Sequence, residues 1–219
     1  MFSKQVMGAL VSGGILAMTM NASPALACQG TTVLFKDDFN KVDKAWTKPR
    51  NFNGQFSIGG GKLVAKSPAD EWLQIAYGAK VFPEADLCVD VVVSDEGDGY
   101  AGIGFKGSDA YYVAGIQFDG QVIVNAQTYG PDGTWLTPLP ASENPAVKTG
   151  RGAVNRIRLV WKAPPPKGSN AKPDPTVSFY VNDKLIDTFD ADPNANRMIA
   201  FGLETSGATV EFRNLVVTK

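Results

Sequence analysis

The chain reads as an all-β protein, a two-sheet antiparallel sandwich. Three observations predict it. Runs of five to eight residues rich in β-branched and aromatic side chains recur from Leu87 to Val181. Many alternate apolar and polar residues with period two. The links between them are short and built from Gly, Asp, Asn and Pro, too brief for crossover helices.

The first segment is an address rather than part of the sandwich. Met1–Ala27 carries Lys4, an apolar stretch from Val6 to Met20 and the small-x-small sequence Ala25-Leu26-Ala27, the pattern of a cleaved secretory signal peptide. The stretch is too short and glycine-broken for a spanning helix. Residues 28–219 are then one domain, exported to the periplasm or beyond.

Cys28 would begin the mature chain, and two fates are open to it. A disulfide with Cys88 suits an oxidising compartment. Lipidation would need a lipoprotein box, which normally places Leu at −3, whereas here Ala25 is at −3 and Leu26 at −2. The register favours the disulfide.

The strands follow in order. Leu87–Val93, Ala101–Phe105, Tyr111–Phe118, Gln121–Thr128, Arg156–Trp161 and Thr176–Val181 are expected strands. Turns are expected at 59–61, 96–99, 131–133 and 182–183, and Asp119-Gly120 marks a tight hairpin. Pro138–Gly150 reads as a long loop. Ala163–Pro175, with five of the 14 prolines, reads as an exposed hairpin insertion.

Certain residues resemble a known group. They are Phe35-Lys36-Asp37-Asp38-Phe39-Asn40 with Trp46 and 56–63, then 155–159, 177–186, Ala200-Phe201-Gly202-Leu203 and 210–217. Together they resemble the concanavalin A-like (laminin G-like) jelly roll, and are most similar to the 3-keto-disaccharide hydrolase-like branch of secreted bacterial proteins. The resemblance implies a jelly-roll sandwich, with Gly202 and Asn214 as framework positions. It also implies carbohydrate as the ligand class.

Composition and motifs narrow the chemistry. There is no histidine among the 219 residues, so Ser-His-Asp and Cys-His catalysis and imidazole zinc sites are excluded. Lys and Arg (21) balance Asp and Glu (22) without a basic run, which argues against nucleic acid. The Glu-x-Asp-x-(x)-Glu strand of laminarinase-like glucanases is missing, since Leu87–Val93 offers only Asp90. The acidic pairs Glu84/Asp86 and Asp190/Asp192 read as solvated turns or caps. Two loops, Asp190–Asn196 and Asp95–Asp98, have oxygen ligands that calcium takes, but the first lacks the glycine and glutamate of an EF-hand. They read as ordinary turns, so no cofactor is expected, with a looser calcium site at one of these loops as the alternative.

Strand parity places a candidate ligand face. One parity is core: Ala101/Ile103/Phe105, Tyr112/Ala114/Ile116/Phe118 and Val122/Val124/Ala126. The other carries Tyr100, Lys106, Tyr111, Gln117, Asn125, Gln127 and Tyr129, with glycines at 102, 104 and 115 as a shallow floor among standing side chains. Trp72 and Trp135 are its expected walls, while Trp46 and Trp161 belong to the core. Aromatic faces stack on sugar rings and amides bond their hydroxyls. The expected function is an exported module binding carbohydrate or envelope glycan, without a catalytic residue. A glycoside-active hydrolase and a structural or adhesive envelope domain are the alternatives.

Overall fold

The computed structural model describes residues 28–48, 53–80, 82–93, 99–106, 110–128, 133–163, 176–190 and 200–219, with Trp135 by its backbone alone. The expected leader, Met1–Ala27, lies outside them, as do most of the 163–175 insertion and both candidate calcium loops apart from Asp190. The described residues contain no helix, so none is long and apolar enough to cross a membrane.

Two antiparallel sheets face each other as a jelly-roll sandwich. The larger holds β1 (Val33–Asp37), β3 (Gln55–Gly59), β4 (Lys62–Lys66), β6 (Ala85–Val93), β11 (Val154–Lys162), β12 (Thr176–Val181), β13 (Lys184–Asp190) and β15 (Thr209–Thr218). Its order is β13-β12-β11-β6-β15-β4-β3, with β1 pairing the second half of β15. The smaller holds β2 (Trp46–Thr47), β5 (Trp72–Tyr77), β7 (Tyr100–Lys106), β8 (Ala110–Gln117), β9 (Gln121–Thr128), β10 (Trp135–Glu143) and β14 (Ala200–Ser206), ordered β10-β9-β8-β7-β14-β5-β2. All six expected strands are present, some a residue or two longer.

Period-two alternation decides which side chains meet between the sheets. Phe105 stacks on Tyr112 at 5.0 Å and meets Trp161 edge-on at 5.8 Å, joining the two layers. Trp46 packs on Tyr77 and Phe201, so both tryptophans expected in the core lie there, Trp161 on the parity of Ile157 and Leu159. The Trp46 indole N–H also donates to Asp37 Oδ2 at 2.8 Å, fixing β1 to β2 across the sandwich edge.

One of the two irregular segments differs from its expected form. The loop expected from Pro138 begins as strand, because β10 continues to Glu143. The prolines are tolerated there since β10 pairs only with β9 and is bulged at both of its register shifts. The insertion does join a hairpin: β11 and β12 pair in unbroken register as far as Lys162 opposite Thr176. At the next turn, Asn182 and Asp183 both have positive φ, 50° and 65°, as a tight hairpin requires.

Asp86 is not the solvated cap expected of it. It is buried on β6, and the Arg158 guanidinium of β11 donates to both of its oxygens at 2.7 and 2.9 Å. One position pair along, Arg156 grips Asp90 at 2.8 and 3.2 Å, and Asn214 donates to the same carboxylate at 2.8 Å. Asn214 has φ 52° at the bulge of β15, consistent with a framework role. The outer face of the larger sheet is thus closed by ion pairs.

Cys28 and Cys88 form a disulfide, packed with Val216 on that same face. It spans 60 positions and ties the start of the domain to central strand β6. Reduction is expected to destabilise the domain by about 4 kcal/mol in the chain-entropy picture. Urea unfolding with and without reductant measures it. Superimposable curves would show that β1 and β15 hold this end without the bridge.

Candidate functional site

The outer face of the smaller sheet is the surface that parity singled out, and the pairing register orders it into rows. Trp72, Ser206, Tyr100 and Gln117 stand side by side across β5, β14, β7 and β8. The next row is Gln74, Glu204, Gly102, Gly115 and Ile123. Then come Ala76, Gly202, Gly104, Val113 and Asn125, and finally Ala200, Lys106, Tyr111, Gln127 and Trp135. Trp72, Tyr100, Lys106, Tyr111, Gln117, Asn125, Gln127 and Trp135 therefore do share one face. Tyr129 lies outside the described residues.

The face differs from the expected shallow floor in one respect. The glycines do not leave open space, because two tyrosines lie down into it. A Cβ on Gly102 or Gly115 would overlap the Tyr100 hydroxyl, and one on Gly104 would overlap that of Tyr111. Tyr100 enters from the first row and is 4% exposed, so it is a buried part of the floor and not a standing side chain. Tyr111 enters from the last row and remains half-buried. Trp72 rests against Tyr100, ring centroids 4.9 Å apart, and keeps 38% of its surface exposed. Gln117, Asn125 and Gln127 are half-buried and Lys106 is exposed.

Both phenols converge on a residue that the sequence reading passed over. Glu204 is 3% exposed, on the outward parity of β14 between inward Leu203 and Thr205. The Tyr111 hydroxyl donates to Glu204 Oε1, and the Gln74 side chain bonds the same carboxyl from β5. Tyr100 adds a hydroxyl with no hydrogen-bond partner. Burial pushes the Glu204 carboxyl up to about 7 from its usual 4.5, against the downward pull of Tyr111 and Gln74. Burial, together with the Glu204 charge, raises both phenols well above their usual range.

The geometry restricts what the face can catalyse. Carboxyl pairs that cleave glycosides stand about 5 to 9.5 Å apart. Glu143 on β10 shares the outward parity with its partner Gln121, yet four strand spacings, roughly 19 Å, separate it from Glu204. Potential metal ligands gather at Cys28, Asp86 and Cys88, where both sulfurs are consumed by the disulfide and the carboxylate by Arg158. The described site is one buried acid in a ring of aromatics and amides.

Comparison with known proteins places the architecture. No protein-family model matches the chain, and no curated protein matches it significantly. Solved structures do. A protein of unknown function with a galectin-like fold from Bacillus subtilis superposes with a TM-score of 0.63 at 11% identity, over 87% of this chain and 97% of that one. A family 16 endo-glucanase from Bacteroides ovatus gives 0.60 at 12% identity, covering 84% and 100%. An alginate lyase from a Chlorella virus gives 0.57 at 15% identity, covering 85% and 99%. At these identities the likeness establishes the jelly-roll sandwich and nothing finer.

Two outcomes check the site's physics. Because Glu204 holds its proton more tightly folded than unfolded, its contribution to stability is complete below about pH 4.5 and is lost as pH rises through about 7. Relative to Glu204→Gln, the wild type should lose on the order of 3 kcal/mol across that window, read from urea unfolding at stepped pH. Parallel curves would mean that the carboxyl is well solvated. Separately, Gly104→Ala should cost about 1–3 kcal/mol by overpacking, and most of that cost should disappear in a Tyr111→Ala background. A fully additive double mutant would show that the phenol does not occupy the glycine gap.

Proposed function

We propose that the protein is an exported glycan-binding module that holds sugar on the outer face of its smaller sheet. The observation that carries this reading is the register itself. It sets Trp72, Tyr100 and Tyr111 among Gln74, Gln117, Asn125 and Gln127 on one surface. Apolar sugar faces stack on the exposed Trp72 ring, and hydroxyls pair with the amides. The likeness to an endo-glucanase and an alginate lyase supports glycan as the ligand class. The signal-peptide pattern of Met1–Ala27 and the Cys28–Cys88 disulfide support a periplasmic or secreted location.

The buried Glu204 favours a second reading, a glycoside-active enzyme using it as a proton donor. The sequence likeness to the 3-keto-disaccharide hydrolase-like branch supports the same reading. Against it stands the distance to any second carboxyl on the described strands of the sheet.

A glycan array, run with and without calcium and followed by a reducing-sugar assay on each hit, separates the two. Saturable binding without turnover is the expected result, and release of reducing ends would favour the enzyme. Gln127→Ala and Tyr129→Ala should each weaken binding at least about tenfold, about 1.4 kcal/mol, with little change in melting temperature. Unaltered binding by both variants would move the site off this face.

A further inference from the structure

Acids on the two sheets are treated differently. On the larger sheet, buried Asp86 and Asp90 each have an arginine, at 2.7 and 2.8 Å. Glu204 is buried as deeply, yet its partners are a phenol and an amide, and among the described residues no lysine or arginine forms an ion pair with it. Buried carboxylates are ordinarily paired with a cation or coordinate a metal, because desolvating an isolated charge is costly. At Glu204 the described residues supply the carboxyl and no positive partner.

What surrounds the carboxyl indicates which cation suits it. Trp72 and Tyr100 pack their rings together on one side, and ring faces attract ammonium groups, while Tyr111 turns its hydroxyl to the carboxyl. The Tyr100 oxygen is buried without a partner and offers lone pairs beside the carboxyl. An alkylammonium has three donors and no acceptor, so it suits a carboxylate and a free phenol oxygen together. The other groups facing Glu204 are neutral: Gln74 on β5, Ser206 on β14 and the glycines of β7. Lys106 stands two rows away along β7.

We propose that Glu204 is the receptor for the ammonium group of an amino sugar, which takes over the bond now donated by Tyr111. The inference rests on the glycan-binding reading and names its ligand class. The ring of such a sugar lies against Trp72 while its charge completes the ion pair. N-acetylation removes that charge and adds bulk where the carboxyl sits.

The test uses the disulfide-bonded protein and two probes, hexaglucosamine and its fully N-acetylated counterpart, titrated calorimetrically at about pH 6.5 and physiological ionic strength. Hexaglucosamine should bind at least about tenfold more tightly, a difference of about 1.4 kcal/mol. Glu204→Gln should abolish the preference and leave the N-acetylated oligomer's affinity within about twofold of wild type. The wild type alone gives an independent reading. Its preference should grow severalfold from about pH 5 to about pH 6.5, as Glu204 gives up its proton. Equal affinities, a preference that survives Glu204→Gln or one flat with pH overturns the assignment. If the N-acetylated or other array glycans bind and hexaglucosamine has no advantage, the glycan reading stands and only this assignment fails. If no glycan binds, both fail.

Discussion

The smaller sheet depends on side chains that are not there. With any residue but glycine at 102, 104 and 115, the phenols of Tyr100 and Tyr111 would be forced upright and Glu204 would lose its cover. Upright, they would make the sheet an ordinary polar surface with a solvated glutamate. Lying down, they bury an acid on the outward side of a sandwich, where water would normally reach it. The core needs none of this, since the inward parity of the same strands packs Ile103, Phe105 and Leu203 regardless. Gly104 therefore serves the surface alone, whereas a Cβ on Gly102 or Gly115 would also strike the backbone oxygen of Ala114 or Ala101, so those two serve the sheet as well.

The larger sheet handles charge by the opposite means. Asp86 with Arg158 and Asp90 with Arg156 are bidentate pairs, and the Arg158 guanidinium also lies 4.5 Å from the Tyr180 ring centre. Guanidinium and carboxylate satisfy each other's geometry almost completely, leaving little free bonding capacity for a ligand. One sheet neutralises its acids internally. The other holds its acid as a weak one, between a phenol and an amide.

Much of this was legible in the sequence, for physical reasons that also explain the omissions. Period-two alternation in 101–105, 111–118 and 121–128 is a local signal, so the strands and their inward faces could be read directly. Glu204 carries no such signal. Its burial comes from β7, about a hundred residues earlier, and from two phenols whose direction depends on gaps in neighbouring strands. The alternation of Phe201, Leu203 and Thr205 was enough to turn it outward, but the glycines at 102, 104 and 115 read as an open floor and not as space taken by phenols. The ion pairs were missed similarly: Asp86 looks like a turn residue until β11 is laid beside it. Pro138 misled for another reason, because proline forbids only the pairing that an edge strand does not make.

The ends of the smaller sheet bear on how partners can approach it. At one side β2 has only two residues. At the other, β10 carries Pro138 and Pro140 and two breaks in its register. Among the described residues the β10 border is broken by its bulges, and the other border consists of β2 and the four residues of β5 that it leaves uncovered, so each is a poor template for an added strand. Peptides that bind by extending a sheet, and sister chains that would stack edge to edge into fibrils, find little purchase there. Recognition by this sheet is left to its broad side.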